Sequence, residues 1–130
     1  MFMSALYRSH ALLGRESSAE LDMIEEIRSA NRQNHVTGYL HREADVYYQW
    51  IEGPTQSIET LLVKLQSDPR HTSFTLIGKS KSSVRRFPNW LMGYSTSGEG
   101  ALLEWATRNN LSLRILDPAM MVSFFQNQAA

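Results

Sequence analysis

The sequence predicts an α+β domain built from one sheet and two covering helices. Three observations predict it. Apolar spacing changes between period two and period 3.6 in the order strand, helix, strand, strand, helix, strand. Each change is punctuated by a cap, a charged turn or a proline. The chain has 130 residues, the length of one domain with a substantial core.

Residues 2 to 8 read as the first strand, in place of a signal peptide, because the opening segment has no basic flank and no cleavage site. Ser17-Ser18-Ala19-Glu20 has the spacing of a capping box, and Leu21, Ile24, Ile27 and Ala30 then follow on one face, which predicts a helix over about 18 to 33. Val36 to His41 and Val46 to Glu52 are rich in aromatic and β-branched residues. The charged turn Arg42-Glu43-Ala44-Asp45 joins them into an antiparallel hairpin. Gly53-Pro54-Thr55 ends the hairpin. A second helix near Gln56 places Ile58, Leu61, Leu62 and Leu65 on one side until Asp68-Pro69 stops it. Phe74 to Lys79 reads as a fourth strand.

This order, β-α-β-β-α-β, is the ferredoxin-like arrangement, with a groove between the two helices. Trp90 to Ser95 reads as an extra strand. From Gly98 a C-terminal helical appendage follows: a helix over about 99 to 108, an apolar stretch from Leu111 to Leu116, and a last helix begun by Asp117-Pro118. The expected division is a domain over 1–97 and an appendage over 98–130 that packs on the sheet or at a dimer interface.

Composition excludes several functions. Thirteen basic residues balance thirteen acidic ones, so no net charge holds a nucleic acid or an anionic membrane. There are no cysteines, hence no disulfide, thiolate metal site or Cys nucleophile. The longest apolar runs are too short to span a bilayer, and a cytoplasmic protein is expected.

Several residues carry more chemistry than a core needs, although each has a plainer reading. Tyr7 alone is a core aromatic whose hydroxyl has found a partner. Gln49 lies within Tyr47-Tyr48-Gln49-Trp50-Ile51, where a primary amide needs partners for two donors and a carbonyl; the alternative is a sheet-edge amide satisfied by backbone. Asn31 belongs to a helix C-terminus, a role that suits Asn34 better. Trp90 and Met92 alternate onto one strand face and read as core.

Together these residues form a pattern: Tyr7 with Ser9, Asn31 with Val36-Thr37-Gly38, Gln49 with Glu52-Gly53, Asp68-Pro69-Arg70-His71, and Arg86-Phe87-Pro88-Asn89-Trp90-Leu91-Met92. The pattern covers roughly residues 3 to 95 and resembles the BLUF family of blue-light receptors that use flavin. The resemblance implies a blue-light photoreceptor that binds FAD non-covalently, with FMN or riboflavin as alternatives. It places Tyr7, Gln49, Trp90 and Met92 in the photoactive group. Tyr7, Ser9, Ile24, Ile27, Asn31, Gln49, Arg70, His71 and Met92 become cofactor-binding residues. In that mechanism Tyr7 donates an electron and a proton through Gln49, whose amide then changes its hydrogen bonds and gives a small, dark-reversible red shift. No substrate bond changes, so the chain is not expected to be an enzyme. Its signal would pass by protein contact, as a homo-oligomer with an unidentified downstream partner. Ala30 departs from the pattern, standing where many members have a second polar residue. A flavin-free ferredoxin-like interaction module is the competing reading, and an acylphosphatase-like hydrolase ranks third for want of a phosphate-cradling loop.

Overall fold

The computed structural model describes residues 2–98, 100–113 and 117–129. The element order is β1 (Phe2–Ala11), α1 (Ser18–Asn34), β2 (Thr37–Glu43), β3 (Val46–Pro54), α2 (Thr55–Gln66), β4 (His71–Ser82), β5 (Gly93–Ser97), α3 (Ala101–Arg108) and α4 (Pro118–Ala129). The sheet runs β4-β1-β3-β2-β5. Its first four strands are antiparallel, as the ferredoxin-like reading requires, and β5 adds to the β2 edge in parallel. The apolar run from Leu111 to Leu116 lies only partly within the described residues.

Local chemistry sets the ends of α1. The Ser17 hydroxyl accepts from the Glu20 N–H at 3.2 Å, one half of the capping box. The Glu20 carboxylate reaches back to the Glu16 N–H at 2.8 Å rather than to Ser17. At the other end the left-handed residue is His35, with φ 58°, and not Asn34. The His35 turn leads directly into β2. Leu21, expected on the buried face, is 49% exposed, and Met23 takes its place beside Ile24. The inward stripe is therefore Met23, Ile24, Ile27 and Asn31, one position round from the face expected.

Two apolar clusters lie on opposite sides of the sheet. Met23, Ile24, Leu40, Tyr47, Ile51, Ile58, Leu62 and Met92 belong to the cluster under α1 and α2. Leu6, Tyr39, Trp50, Phe87, Leu102, Trp105, Met121, Phe124 and Phe125 form the other, beneath α3 and α4. Strand alternation sorts them: Tyr7, Gln49 and Ile51 face the first cluster, Leu6 and Trp50 the second. The hairpin turn is shorter than expected, since Arg42 and Glu43 complete β2. Arg42 is 2% exposed, a charged side chain taken into the interior.

The segment before β5 also differs from expectation. Residues 90 to 92 precede the strand and are not extended, so two-residue alternation does not govern them. Met92 turns into the α1–α2 cluster while Trp90 stacks on Tyr39 on the other side, ring centroids 5.5 Å apart. Gly93 permits this crossing: a Cβ there would lie 2.1 Å from the Trp90 ring and 2.5 Å from the Tyr39 ring. The Gly38 N–H fixes the segment by donating to the Trp90 carbonyl at 3.0 Å.

Candidate functional site

Between α1 and α2, above the middle of the sheet, lies a cavity of about 590 Å³, within the range of sites for cofactor-sized ligands. Met23, Ile27 and Ala30 of α1, Leu61 and Leu65 of α2, and Leu40 of β2 give it apolar walls. Its floor is polar: Tyr7 of β1, Tyr47 and Gln49 of β3, and Asn31 of α1. Glu26, Lys64, Asp68 and Arg70 ring the remainder of the lining.

The floor is a chain of hydrogen bonds. Tyr7 and Gln49 are register partners on adjacent strands, and the Tyr7 hydroxyl donates to Gln49 Oε1. The other end of that amide donates from Nε2 to Met92 Sδ at 3.3 Å. Thioether sulfur is a weak acceptor, and Nε2 carries two hydrogens, so the amide holds donor capacity for a stronger partner. Gln49 is 3% exposed and lies on β3, inside the sheet. The backbone-satisfied edge amide is thereby excluded. Burial, then the negative charge of Asp68 and the neighbouring Tyr47, raises the Tyr7 phenol well above its ordinary range, so its proton stays on oxygen at rest. The Phe74 ring stacks on Tyr7 at 4.7 Å and restricts its rotation.

Asn31 holds a second polar wall. Its Nδ2 donates to the Leu91 carbonyl at 2.5 Å, while Arg28 Nε, one turn earlier, donates to the Met92 carbonyl at 3.0 Å. Helix α1 thus clamps the backbone on which Met92 rides.

Other residues singled out from the sequence have supporting places. His71 lines the cavity edgewise to Tyr7, with ring centroids 6.0 Å apart. Its Nε2 lies 2.6 Å from the Leu65 carbonyl and must donate there; in the neutral ring Nδ1 then accepts from the Ser9 hydroxyl at 2.7 Å. Ser9 and His71 brace the end of α2 against β1. Arg70 is tied to Asp68 at 2.8 Å and to Glu26 at 2.7 Å, and this ionic knot stands at the cavity. Ile27 lines the cavity; Ile24 is packed in the core behind it. Trp90 stands across the sheet from the Gln49 amide and Met92 beside it, so the two do not share the one face expected of them.

Sequence reasoning missed a buried ionic cluster at the same wall. Glu20 is fully buried and accepts from Arg42 Nη1 at 2.5 Å, from the Tyr94 hydroxyl at 2.7 Å and from the Tyr47 hydroxyl. Burial alone would raise its pKa, but the donors Tyr47, Glu16 N–H, Tyr94 and Arg42 together hold it below the usual carboxylate value. Glu20 had read as part of a capping box and Arg42 as part of the turn; the signal that could have found the pair is the continued alternation of β2, which puts Arg42 on the face of Leu40.

The residues fit a flat heteroaromatic ligand with a carbonyl-rich edge. Two buried primary amides, Asn31 and Gln49, supply donors and acceptors on one side, and apolar walls flank the space above them. A flavin ring has that character.

Comparison with known proteins agrees with the geometry. The family model described as "BLUF: Sensors of blue-light using FAD" matches residues 2–93. Among curated proteins, the photoactivated adenylate cyclase subunit beta of Euglena gracilis is 29% identical over 82 residues, which cover 60% of this chain and 10% of that protein. The chain therefore spans about a tenth of such relatives. Among solved structures, the dark state of BlrB, a BLUF protein, superposes with a TM-score of 0.80 at 27% identity, covering 95% of this chain and 93% of that one. Klebsiella pneumoniae BlrP1 with FMN and cyclic diGMP superposes at 0.71 with 23% identity, covering 99% of this chain and 35% of that one, a likeness of fold.

Proposed function

The chain belongs to the BLUF family of blue-light sensors using FAD; we propose that it is a blue-light flavin photoreceptor that signals through a hydrogen-bond switch made by Tyr7, Gln49 and Met92 around a bound FAD. The observation that carries this reading is the buried relay from the Tyr7 hydroxyl to Gln49 Oε1 and from Gln49 Nε2 to Met92 Sδ on the cavity floor.

Asn31 and Gln49 would hold the polar edge of the ring, and Ile27, Leu61 and Leu65, which line the cavity, would exclude water from it. When bound, flavin absorbs blue light and becomes a strong one-electron oxidant. The chain's own part is to move one proton and one amide. Tyr7, on giving up one electron, would release its hydroxyl proton toward Gln49 Oε1, the side-chain acceptor that oxygen has among the described residues. A Gln49 amide that reorients turns its N–H donors away from Met92 Sδ and loosens that contact. The Leu91-Met92 backbone, held by Asn31 at the Leu91 carbonyl and by Arg28 at the Met92 carbonyl, then shifts the entry to β5, which lies on the β2 edge. A hydrogen bond is worth about 1 kcal/mol net, enough to bias a two-state element several-fold.

FAD is the proposed cofactor on the strength of the family description; FMN remains the competing flavin because the floor reads the ring alone. The proposed organisation is a flavin-binding domain over 1–97 with a helical appendage over 98–130, supported by the packing of Leu102, Trp105 and Phe124 on the sheet. The proposed output is protein contact rather than catalysis. Leu103 at 57% and Leu111 at 41% exposure offer apolar contacts on the appendage for a second copy or a downstream partner. Among the described residues no helix is long and apolar enough to cross a membrane, and the location proposed for the chain is the cytoplasm. The test is equilibrium binding of FAD, FMN and riboflavin to flavin-free protein. Uptake of flavin with a yellow absorption band supports the reading, and refusal of all three leaves the flavin-free module.

A further inference from the structure

Tyr47 shares the cavity lining with Tyr7 but faces a different acceptor. Tyr7 donates to the neutral carbonyl of Gln49, and Tyr47 to Glu20 Oε2, an anion that is fully buried. The rest of the Glu20 shell is complete: Arg42 Nη1 at 2.5 Å, Tyr94 hydroxyl at 2.7 Å and Glu16 N–H at 2.8 Å. Arg42 also lies over the Tyr47 ring, 5.4 Å from its centroid. Tyr47 is thus one of the donors that hold Glu20 ionised, and the proposed relay through Gln49 makes no use of its phenol.

We propose that Tyr47 is a second electron donor to the light-excited flavin, and that it delivers its proton to Glu20, so that its oxidation quenches the flavin without moving Gln49. The inference rests on the flavin reading above. In the forward step one electron leaves the Tyr47 ring for the flavin, the phenolic O–H bond breaks, and the proton joins Glu20 Oε2 as a carboxylic acid. In the return step the electron comes back to the ring and the proton to the phenolic oxygen. Light supplies the energy and no other oxidant is consumed.

The surroundings set both directions. At rest, burial and then the Glu20 hydrogen bond and charge keep the Tyr47 proton firmly on oxygen, while the donors around Glu20 keep that carboxylate ionised. A phenol that has lost an electron is a strong acid, which reverses the order. With the Arg42 charge over the ring, a tyrosine that kept its proton would face a like charge, so electron and proton must leave together. The product is short-lived for the same reason: a neutral Glu20 leaves Arg42, among the described residues, with Asp45 at 3.2 Å as its charged partner beside the carbonyls of Ala44 and Leu13. Gln49 bonds to Tyr7 and Met92 and takes no part in this chain.

The experiment measures flavin fluorescence lifetime in FAD-loaded wild type, Tyr7→Phe, Tyr47→Phe and the double variant, with transient infrared detection of a protonated carboxyl. Tyr7→Phe is expected to give no red shift and yet stay quenched, with a carboxyl band that vanishes on adding Glu20→Gln. The double variant is expected to have a lifetime several-fold longer. Tyr47→Phe alone is expected to raise the yield of red-shifted protein per photon. Equal lifetimes in Tyr7→Phe and the double variant, in a chain whose wild type binds flavin and red-shifts, overturn the inference alone. A wild type that takes no flavin overturns it together with the photoreceptor reading. If the double variant does not hold FAD, the infrared band in Tyr7→Phe decides: its presence supports the Tyr47–Glu20 pair and its absence rejects it.

Discussion

Arg28 Nε on α1 donates to the backbone carbonyl of Met92 at 3.0 Å, across 64 residues of sequence. With Asn31 on the Leu91 carbonyl, it makes helix α1 a clamp on the segment that carries the Gln49 partner. Arg28→Ala and Asn31→Ala are expected to retain Tyr7 and Gln49 contact but to free that segment, speeding return from the red-shifted state several-fold. Dark-recovery kinetics check this, and unchanged recovery in both variants would show that the clamp plays no part.

The Glu20–Arg42 pair is expected to dominate single-site stability. Both side chains are buried, and truncating one strands the other, at a cost of about 3–5 kcal/mol. Glu20→Ala and Arg42→Ala should each lose that much in urea unfolding. Because the folded pKa of Glu20 is depressed, its contribution is present above the unfolded carboxylate value and is lost as pH falls through the folded one. Acid unfolding should therefore steepen below about pH 4.5 in the wild type and much less in Glu20→Gln.

His41 titrates in a different window. It is fully buried, with Nδ1 at 2.7 Å from the Ser95 hydroxyl, Nε2 at 3.3 Å from Glu43, and its ring edgewise on Phe124 of α4. Burial lowers its pKa against the opposing pull of Glu43. The unfolded chain thus binds a proton first, and stability should decline as pH falls below about 6.5, the ordinary histidine value. Melting temperatures between pH 7 and pH 5 should fall in the wild type and stay flatter in His41→Gln; parallel curves would contradict this.

Gly93→Ala tests the crossing that separates Trp90 from Met92. The new methyl would lie 2.1 Å from the Trp90 ring, so the ring must leave Tyr39 or the strand must shift. A loss of about 2 kcal/mol or more, typical of overpacking, is expected. Tryptophan fluorescence should report a more solvated Trp90. An unchanged spectrum and stability would show that Trp90 is not held there.

Most of the fold was legible because its signals were local. The Ser17 cap, the strand alternation in β3 and the Asp68-Pro69 stop each depend on neighbours in sequence. The relay residues were legible only as a set, since Tyr7, Asn31 and Gln49 meet through strand pairing and helix packing. The misreadings have one physical cause. Leu21, Arg42 and Trp90 are placed by tertiary contacts: Met23 displaces Leu21 from the core, Glu20 draws Arg42 inward, and a bend without strand periodicity sends Trp90 to Tyr39. The parallel pairing of β5 with β2 likewise leaves no mark on β5's own spacing.

The most direct test of the central claim is the light-minus-dark absorption spectrum of the flavin-loaded wild type beside Gln49→Leu. Leucine keeps the volume and removes both ends of the relay between Tyr7 and Met92. The account predicts a small, dark-reversible red shift in the wild type and none in Gln49→Leu, with flavin retained in both. A red shift of wild-type size in Gln49→Leu would contradict it.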